Sequence, residues 1–559
     1  MAVIRNKTGV FISLFTTCMV ITGPLLCGYI NAPMNREIAA AYISTAALCC
    51  IAIVVVFSRH NNRVIKLSVT DIGLTVCIIY YVIRILLTGR EHVDYTVFLL
   101  ISAVALCYIF SRMSSSTNII VIGVLISSML QSMIIFAQHT GLIPSGNIVY
   151  PCTGSFDNPA PAACYIVLGI TASLLFIKHY RHITSICILL QLSALYILSS
   201  TAAWAALIAG ILYVIYMHVG SIVILGKVIT TLICAGILLL IIIGSHSPSA
   251  KGRMMIWDIS IPLMLRNPVF GLGEGAFHRE YMLVQAQYFT EHMKSPYISV
   301  ADNIIYPFNE YIGIIVGYGL FGIVLTAGVI ILTFKASGQK NSFLLSCIVA
   351  FMVFAGFSYP SESLPLLILI SVLSGRLELP SIYRFKFNMP IKAGITFISL
   401  SAIIVSSGEY HSLLKLNNAV NELYKSGKDI EDDLYNKYVG NRNFNDYYMA
   451  QLSRDKNMIS NPRINDAFPS CENFVAIGTF HYAKLEFVSA EYYFKQASAM
   501  LPNRIIPRYK LWELYSDIGM TEKALKVAHD IISTKEKIES TYTLSIKKKM
   551  RQFIDTNNS

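Results

Sequence analysis

The stretch GRMMIWDISIPLMLRNPVFGLGEGAFHREYMLVQAQYF (252–289), followed by ADNIIYPFNEYIGIIVGYGLFGIVL (301–325), sets charged and aromatic residues side by side between long apolar runs. Met254, Ile256, Trp257, Ile259, Ser260, Leu263 and Met264 recur at helical spacing, which predicts one or two turns of amphipathic helix lying on a bilayer, with Arg253 at its start and Arg266 at its end. Asn267-Pro268 stops that helix, and Gly271, Gly273 and Gly275 allow positive φ or a close backbone approach to a ligand. A guanidinium at the lipid interface is suited to a diphosphate: its planar fork clamps two phosphate oxygens and it does not deprotonate. Arg253 is placed to hold a lipid-linked pyrophosphate, against the ordinary role of an interfacial arginine that snorkels to head groups.

His278, Arg279 and Glu280 follow as candidates for the same site, although three such residues on an exposed turn are commonly just solvated. Asp302, Asn303, Asn309 and Glu310 supply acceptors where the chain re-enters an apolar run. A carboxylate there is placed to take a proton from an acceptor hydroxyl, with helix capping as the competing role. His246 and His292 face the same side. Inside apolar runs, Asp71, Arg84, Gln131 and Gln138 each require a partner or a water-filled cavity, and the last two, seven apart, share a helix face. Walker, GxGxxG, HExxH, GxSxG and DxD patterns are absent from any plausible context, which argues against soluble nucleotide chemistry.

The elements that position these residues must lie mostly in lipid, because 55% hydrophobic and 14% charged residues exclude a chain of ordinary soluble domains. About thirteen apolar stretches are long enough to span a bilayer. They run near 9–30, 38–58, 67–88, 96–111, 118–142, 159–177, 183–199, 201–217, 221–244, 311–334, 341–357, 362–375 and 391–407. With a cytoplasmic N terminus, one set of loops collects Arg5, Lys7, Arg59, Arg63, Lys66, Arg112, Lys178, Arg181, Lys227, Lys335, Lys340, Arg376, Arg384, Lys386 and Lys392. The opposite short loops hold only Arg36 and Arg90, the asymmetry of the positive-inside rule. Residues 245–308 and everything after Ser407 then face away from the cytoplasm. Ten of the twelve cysteines fall in apolar runs and read as small core residues; no thiolate metal site is expected.

The predicted boundary at 407/408 separates a membrane domain (1–407) from a soluble helical domain (408–559). The tail carries 21 basic and 19 acidic residues, so it has no polybasic face for nucleic acid. Phe474, Gly478, Ala490, Phe494, Ala497 and Pro502 fall at the offsets of a tetratricopeptide helix pair, and Leu511, Tyr515, Gly519 and Ala524 partly repeat them. A short solenoid follows, leaning on helices from 411 to 458, as a cap or as a docking platform for a protein partner.

The order TGSFDNPAPAACY (153–165), SSTAAW (199–204), RMMIWDISIPLMLRNPVFGLGEGAF and FNEYIGIIVGYGLFG (308–322) resembles the O-antigen ligase and polymerase superfamily over roughly residues 120 to 335, with the tail similar to Bacteroidetes variants. The resemblance implies an all-α, GT-C-like polytopic glycosyltransferase of the bacterial inner membrane that needs no cofactor or metal. It implies a donor glycan on undecaprenyl diphosphate at the periplasmic face, and lipid A core, another glycan or a protein hydroxyl as acceptor. By that likeness Arg253 matches the arginine proposed to bind the diphosphate, with Trp257, His278, Arg279 and Asn309 beside the substrate. Two places depart from the pattern. Thr201 stands where many members carry an arginine, and Tyr306, Pro307 and Phe308 stand where a histidine base commonly precedes the Asn-x-Tyr segment. Glu310, Asp302 or His292 then becomes the catalytic candidate. The expected activity is a surface-polysaccharide ligase or a protein O-oligosaccharyltransferase, with a repeat-unit polymerase as the alternative. A lipid-linked glycan transporter and a non-catalytic assembly scaffold are the rivals from other classes.

Overall fold

A computed structural model describes residues 2–29, 34–57, 64–88, 94–147, 149–218, 248–386, 389–452, 461–466, 468–537 and 539–558. Ten of its helices are long and apolar enough to cross a membrane. Eight come first: α1 (Ala2–Tyr29), α2 (Asn35–Phe57), α3 (Val69–Leu87), α4 (Thr96–Met113), α5 (Thr117–His139), α6 (Pro159–Ser173), α7 (Arg181–Leu198) and α8 (Thr201–His218). The predicted span at 221–244, together with His246, Arg59, Arg63, Arg90 and Lys227, lies outside the described residues. Then come α9 (Pro248–Arg266) and α10 (Ala276–Glu291), the long α11 (Glu310–Ala336), the shorter apolar α12 (Ser342–Ala355) and α13 (Leu364–Gly375), and the long α14 (Met389–Ser426). The chain is an all-α, multi-pass membrane protein.

Helix α6 is the hub of the bundle. Every residue from Pro161 to Ser173 is buried, and the small residues of PAPAACYIVLGITAS let neighbours close in. A Cβ on Gly169 would fall 2.3 Å from the Ser128 hydroxyl of α5, and one on Gly210 of α8 would fall 3.0 Å from Thr171. The boundary between α7 and α8, where almost nothing separates two apolar runs, is made by Ser199 in the left-handed region at φ 51° and by the Ser200 hydroxyl, which accepts from Ala203 N at 3.4 Å.

Asp71, Arg84, Gln131 and Gln138 each have a partner. Asp71 accepts from Ser68 N and from the Tyr108 hydroxyl at 2.7 Å and forms an ion pair with Arg112 at 3.0 Å. Arg84 donates to Gly271 O at 2.9 Å. Gln138 accepts from Thr153 N and Gly154 N and donates to Gly154 O, while Gln131 accepts from Ser155 N and its hydroxyl. The shared face of α5 thus pins the TGSFDN segment. A feature absent from the sequence reading is a two-stranded antiparallel ribbon, β1 (Val64–Ser68) with β2 (Ser381–Lys386), pairing Lys66 with Arg384. Two short basic loops meet there and satisfy each other's backbone groups.

Helix α14 is 38 residues long, about 57 Å at 1.5 Å per residue, so it outruns a hydrocarbon core and continues unbroken past position 407. Its later turns bury Leu413, Leu416, Val420 and Leu423, a stripe at three- and four-residue spacing that packs with α15 (Asp432–Tyr438) and α16 (Arg442–Leu452). Two helix pairs follow, α17 (Cys471–Ala483) with α18 (Phe487–Met500) and α19 (Ile506–Asp517) with α20 (Thr521–Ser533), and α21 (Thr541–Asn558) closes the chain. In the first pair Gly478 leaves room for Phe494, whose ring would lie 2.6 Å from an added Cβ.

Candidate functional site

Helix α9 forms as its spacing predicts and is longer, but its apolar face meets protein. Met255, Ile256, Ile259, Ser260 and Leu263 are buried, in a core shared with Phe277 and Tyr281 of α10 and with Phe474 and Met500 of the tail. Trp257 Nε1 donates to Pro307 O at 3.2 Å, tying α9 to the chain that re-enters the bundle. Arg253, in the second turn of the helix, is half-buried, and its buried Nε has no hydrogen-bond partner. Arg253 has no ion pair among the described residues; burial lowers its pKa and the neighbouring Tyr359 opposes that shift.

The glycine loop after α9 is built against α11. Gly319 takes φ 71° within α11 and breaks its regular backbone there. Loop 268–273 answers across the break: Leu272 N donates to Val316 O at 2.8 Å, Gly273 N to Gly317 O at 2.9 Å, and Leu320 N to Pro268 O at 2.8 Å. Broken helix in a membrane requires such internal partners. A Cβ on Gly271 would sit 2.5 Å from Gly317 and Tyr318 backbone atoms, so that glycine serves close approach to α11. Gly275, also at positive φ, starts α10 and brings His278 and Arg279 round.

At this end of the bundle distant segments converge. Tyr306 stacks on Tyr359 at 4.5 Å between centroids, and His278 meets Tyr306 edge-on at 5.6 Å. Arg36, from the first turn of α2, forms ion pairs with Glu37 at 3.2 Å and Glu362 at 2.5 Å. Arg442, from the first turn of α16, donates Nη1 to His278 O at 3.3 Å and Nε to Asp446 at 2.9 Å. Burial, with Arg442, Arg36 and Arg279 close by, pushes the His278 imidazole down to about 3, so it is neutral at physiological pH. Burial pushes Asp94 up to about 6 and raises Glu274, whose carboxylate accepts from the Tyr318 hydroxyl. Asp157 of the TGSFDN segment is within electrostatic reach of Arg36 and Glu37.

The structure brings Arg253, His278, Arg279 and Glu310 into this cluster. Glu310 Oε1 accepts from Ser361 N at 2.8 Å, beside Glu362. Asn309 Oδ1 caps α11, accepting from Tyr311 N at 3.0 Å. The other two base candidates stand elsewhere. Asp302 pairs with Lys537 at 2.7 Å and Arg504 at 4.0 Å of the tail. His292 ends α10, stacked on Tyr288 at 4.5 Å with Nδ1 3.0 Å from Tyr288 O. Thr201 is exposed as the first residue of α8.

The charges do not make a simple anion trap, because carboxylates are plentiful. They are distributed: Glu37 and Glu362 hold Arg36, and Asp446 holds Arg442. Arg253 and Arg279 have no carboxylate within ion-pair distance among the described residues; Arg279 Nη1 donates only to Glu274 O, at 2.7 Å. Two guanidiniums outside ion-pair distance of any carboxylate among the described residues, beside tyrosines and carboxyl groups, can bind a phosphate group and receive a proton in one place. Arg36, Tyr359, Glu362 and Arg442 were not singled out from sequence. Arg36 carried a signal, being one of two basic residues in the short loops opposite the basic set; Arg442 carried none.

No curated protein matches the chain. Residues 186–327, which run from within α7 to within α11 and include Arg253, Trp257, the glycine loop and Glu310, match the family model described as O-Antigen ligase. Over that stretch, which carries Arg253 near its middle, this membrane protein is similar to the O-antigen ligase family.

Proposed function

We propose that the chain is a bacterial inner-membrane glycosyltransferase that moves a glycan from undecaprenyl diphosphate to a hydroxyl acceptor at the periplasmic face, as a surface-polysaccharide ligase or protein O-oligosaccharyltransferase. The observation that carries this reading is Arg253: a half-buried guanidinium whose buried Nε lacks any partner, inside the segment that matches the O-antigen ligase family. The acceptor oxygen attacks the anomeric carbon, the bond from that carbon to the diphosphate oxygen breaks, and undecaprenyl diphosphate leaves with the additional negative charge. Arg253 and Arg279 stabilise that charge where it develops, which is the most effective place for an electrostatic contact. Glu310, held by Ser361 N, takes the acceptor proton. Tyr306 and Tyr359 form a stacked aromatic wall against which the sugar is oriented.

The basic residues at the β1–β2 ribbon and around Arg112 and Arg376 support an orientation with that end in the cytoplasm and the Arg253 end in the periplasm. Arg253→Ala in purified protein, assayed in liposomes for transfer from a polyprenyl-diphosphate glycan, is expected to lose at least about 100-fold in rate with an unchanged melting temperature. Transfer at the wild-type rate removes Arg253 from the mechanism and the reading with it.

A further inference from the structure

The region carrying α9, α10 and the chain to residue 308 is enclosed between the membrane bundle and the tail. On the tail side the contacts are polar and specific. Gln285 Nε2 donates to Met500 O at 2.8 Å, Asn503 Nδ2 to Ala301 O at 2.9 Å, and Cys471 N to Asn303 Oδ1 at 3.1 Å. Gln285 and Asn503 are fully buried, so these bonds are costly to leave unmade. On the bundle side, buried Asn441 donates to Asp94 Oδ2 at 2.9 Å and Thr96 Oγ1 at 3.1 Å, while its Oδ1 accepts from Phe444 N at 3.0 Å and caps α16. One side chain therefore fixes where α16 begins, and Arg442 is its next residue.

Arg442 is 7% exposed, and its guanidinium is oriented by Asp446 one turn on. The Nη edge reaches the carbonyl of His278, in the first turn of α10, immediately before Arg279. The N–H groups of a helix's first turn have no intrahelical acceptor behind them, so that turn is held less firmly than the middle of the helix. A charged donor on His278 O holds that turn in place.

We propose that Arg442 is a positioning residue for the donor site: the C-terminal helices fix the first turn of α10 through Arg442 and so aim the Arg279 guanidinium at the diphosphate. The tail is then a wall of the reaction site as well as any platform for acceptors. This rests on the glycosyl-transfer reading, which Arg253→Ala tests separately. The experiment uses the full chain in liposomes with a polyprenyl-diphosphate glycan and compares wild type, Arg279→Gln, Arg442→Gln and the double variant. Arg442→Gln is expected to raise the donor KM about tenfold or more, leave the acceptor KM unchanged, and add less than about twofold when Arg279 is already Gln, since the two act in series. Arg442→Lys, which keeps a cation on the carbonyl, is expected to recover most of the loss and guards against a folding artefact, with melting temperature read for each variant. Fully multiplicative losses, an effect on acceptor KM alone, or an unaltered Arg442→Gln enzyme overturns the proposal. If Arg253→Ala is impaired and Arg442→Gln is not, this inference fails while the transferase reading stands.

Discussion

Two polar clusters cap opposite ends of the same bundle, and they are built on opposite rules. At the ribbon end Asp71, Arg112 and Arg376 are each answered. Asp71 has Ser68, Tyr108 and Arg112, and Arg376 donates to Ser111 O, Ser114 O and the Thr117 hydroxyl. At the far end Arg253 Nε, Arg36 Nε and Glu37 Oε2 are buried without partners, and a neutral histidine sits among three arginines. A satisfied network fixes helices against one another; an unsatisfied one keeps binding energy for something absent. The difference separates a structural clasp from a site.

The sharpest way to break that comparison is to truncate one member of each. Arg253→Ala should cost transfer at least about 100-fold with little change in stability. Asp71→Ala should do the reverse: it leaves Arg112 unpaired in a mostly buried setting and is expected to destabilise by about 3–5 kcal/mol, while transfer per folded molecule stays at the wild-type level. Detergent melting curves beside liposome transfer rates read both. A loss of turnover in folded Asp71→Ala protein would dissolve the distinction.

His278 sharpens it through pH. Its native value of about 3 lies below the ordinary 6.5, so the neutral form stabilises the fold fully above about pH 6.5, and that contribution is lost as pH falls toward 3. Between pH 6.5 and 5.5 wild type should lose up to about 1.4 kcal/mol relative to His278→Gln. Melting temperatures of the two proteins at both pH values test this; parallel shifts would show that His278 titrates normally. The smallest effect belongs to Asp302, whose partners Lys537 and Arg504 are each about a third exposed. Asp302→Asn should shift stability by less than about 1 kcal/mol and leave transfer within about twofold, as measured in the same two assays.

Much of the membrane architecture was legible because lipid imposes length and apolarity on each span. Gln131 and Gln138 announced a shared face, and Arg253, Trp257 and Glu310 lie in one stretch where aromatic and charged residues stand beside apolar runs. The rest of the cluster was not legible, because Arg36 and Glu362 are 326 positions apart and meet only when α2 and the turn before α13 pack together. The amphipathic face of α9 also misled. Its spacing gives a buried stripe but not what buries it, and the tail, rather than lipid, supplies Phe474 and Met500. The glycine at 271 carried a signal for close approach without naming the partner, which proved to be backbone of the chain itself.

The central claim is that the Arg253 guanidinium is unpaired because it holds a diphosphate. Titration of purified full-length protein with a short polyprenyl diphosphate, followed by intrinsic tryptophan fluorescence with Trp257 one turn from Arg253 on α9, measures that contact directly. The account predicts saturable binding that weakens at least about tenfold in Arg253→Ala, or about 1.4 kcal/mol. Equal affinity in wild type and Arg253→Ala would contradict it.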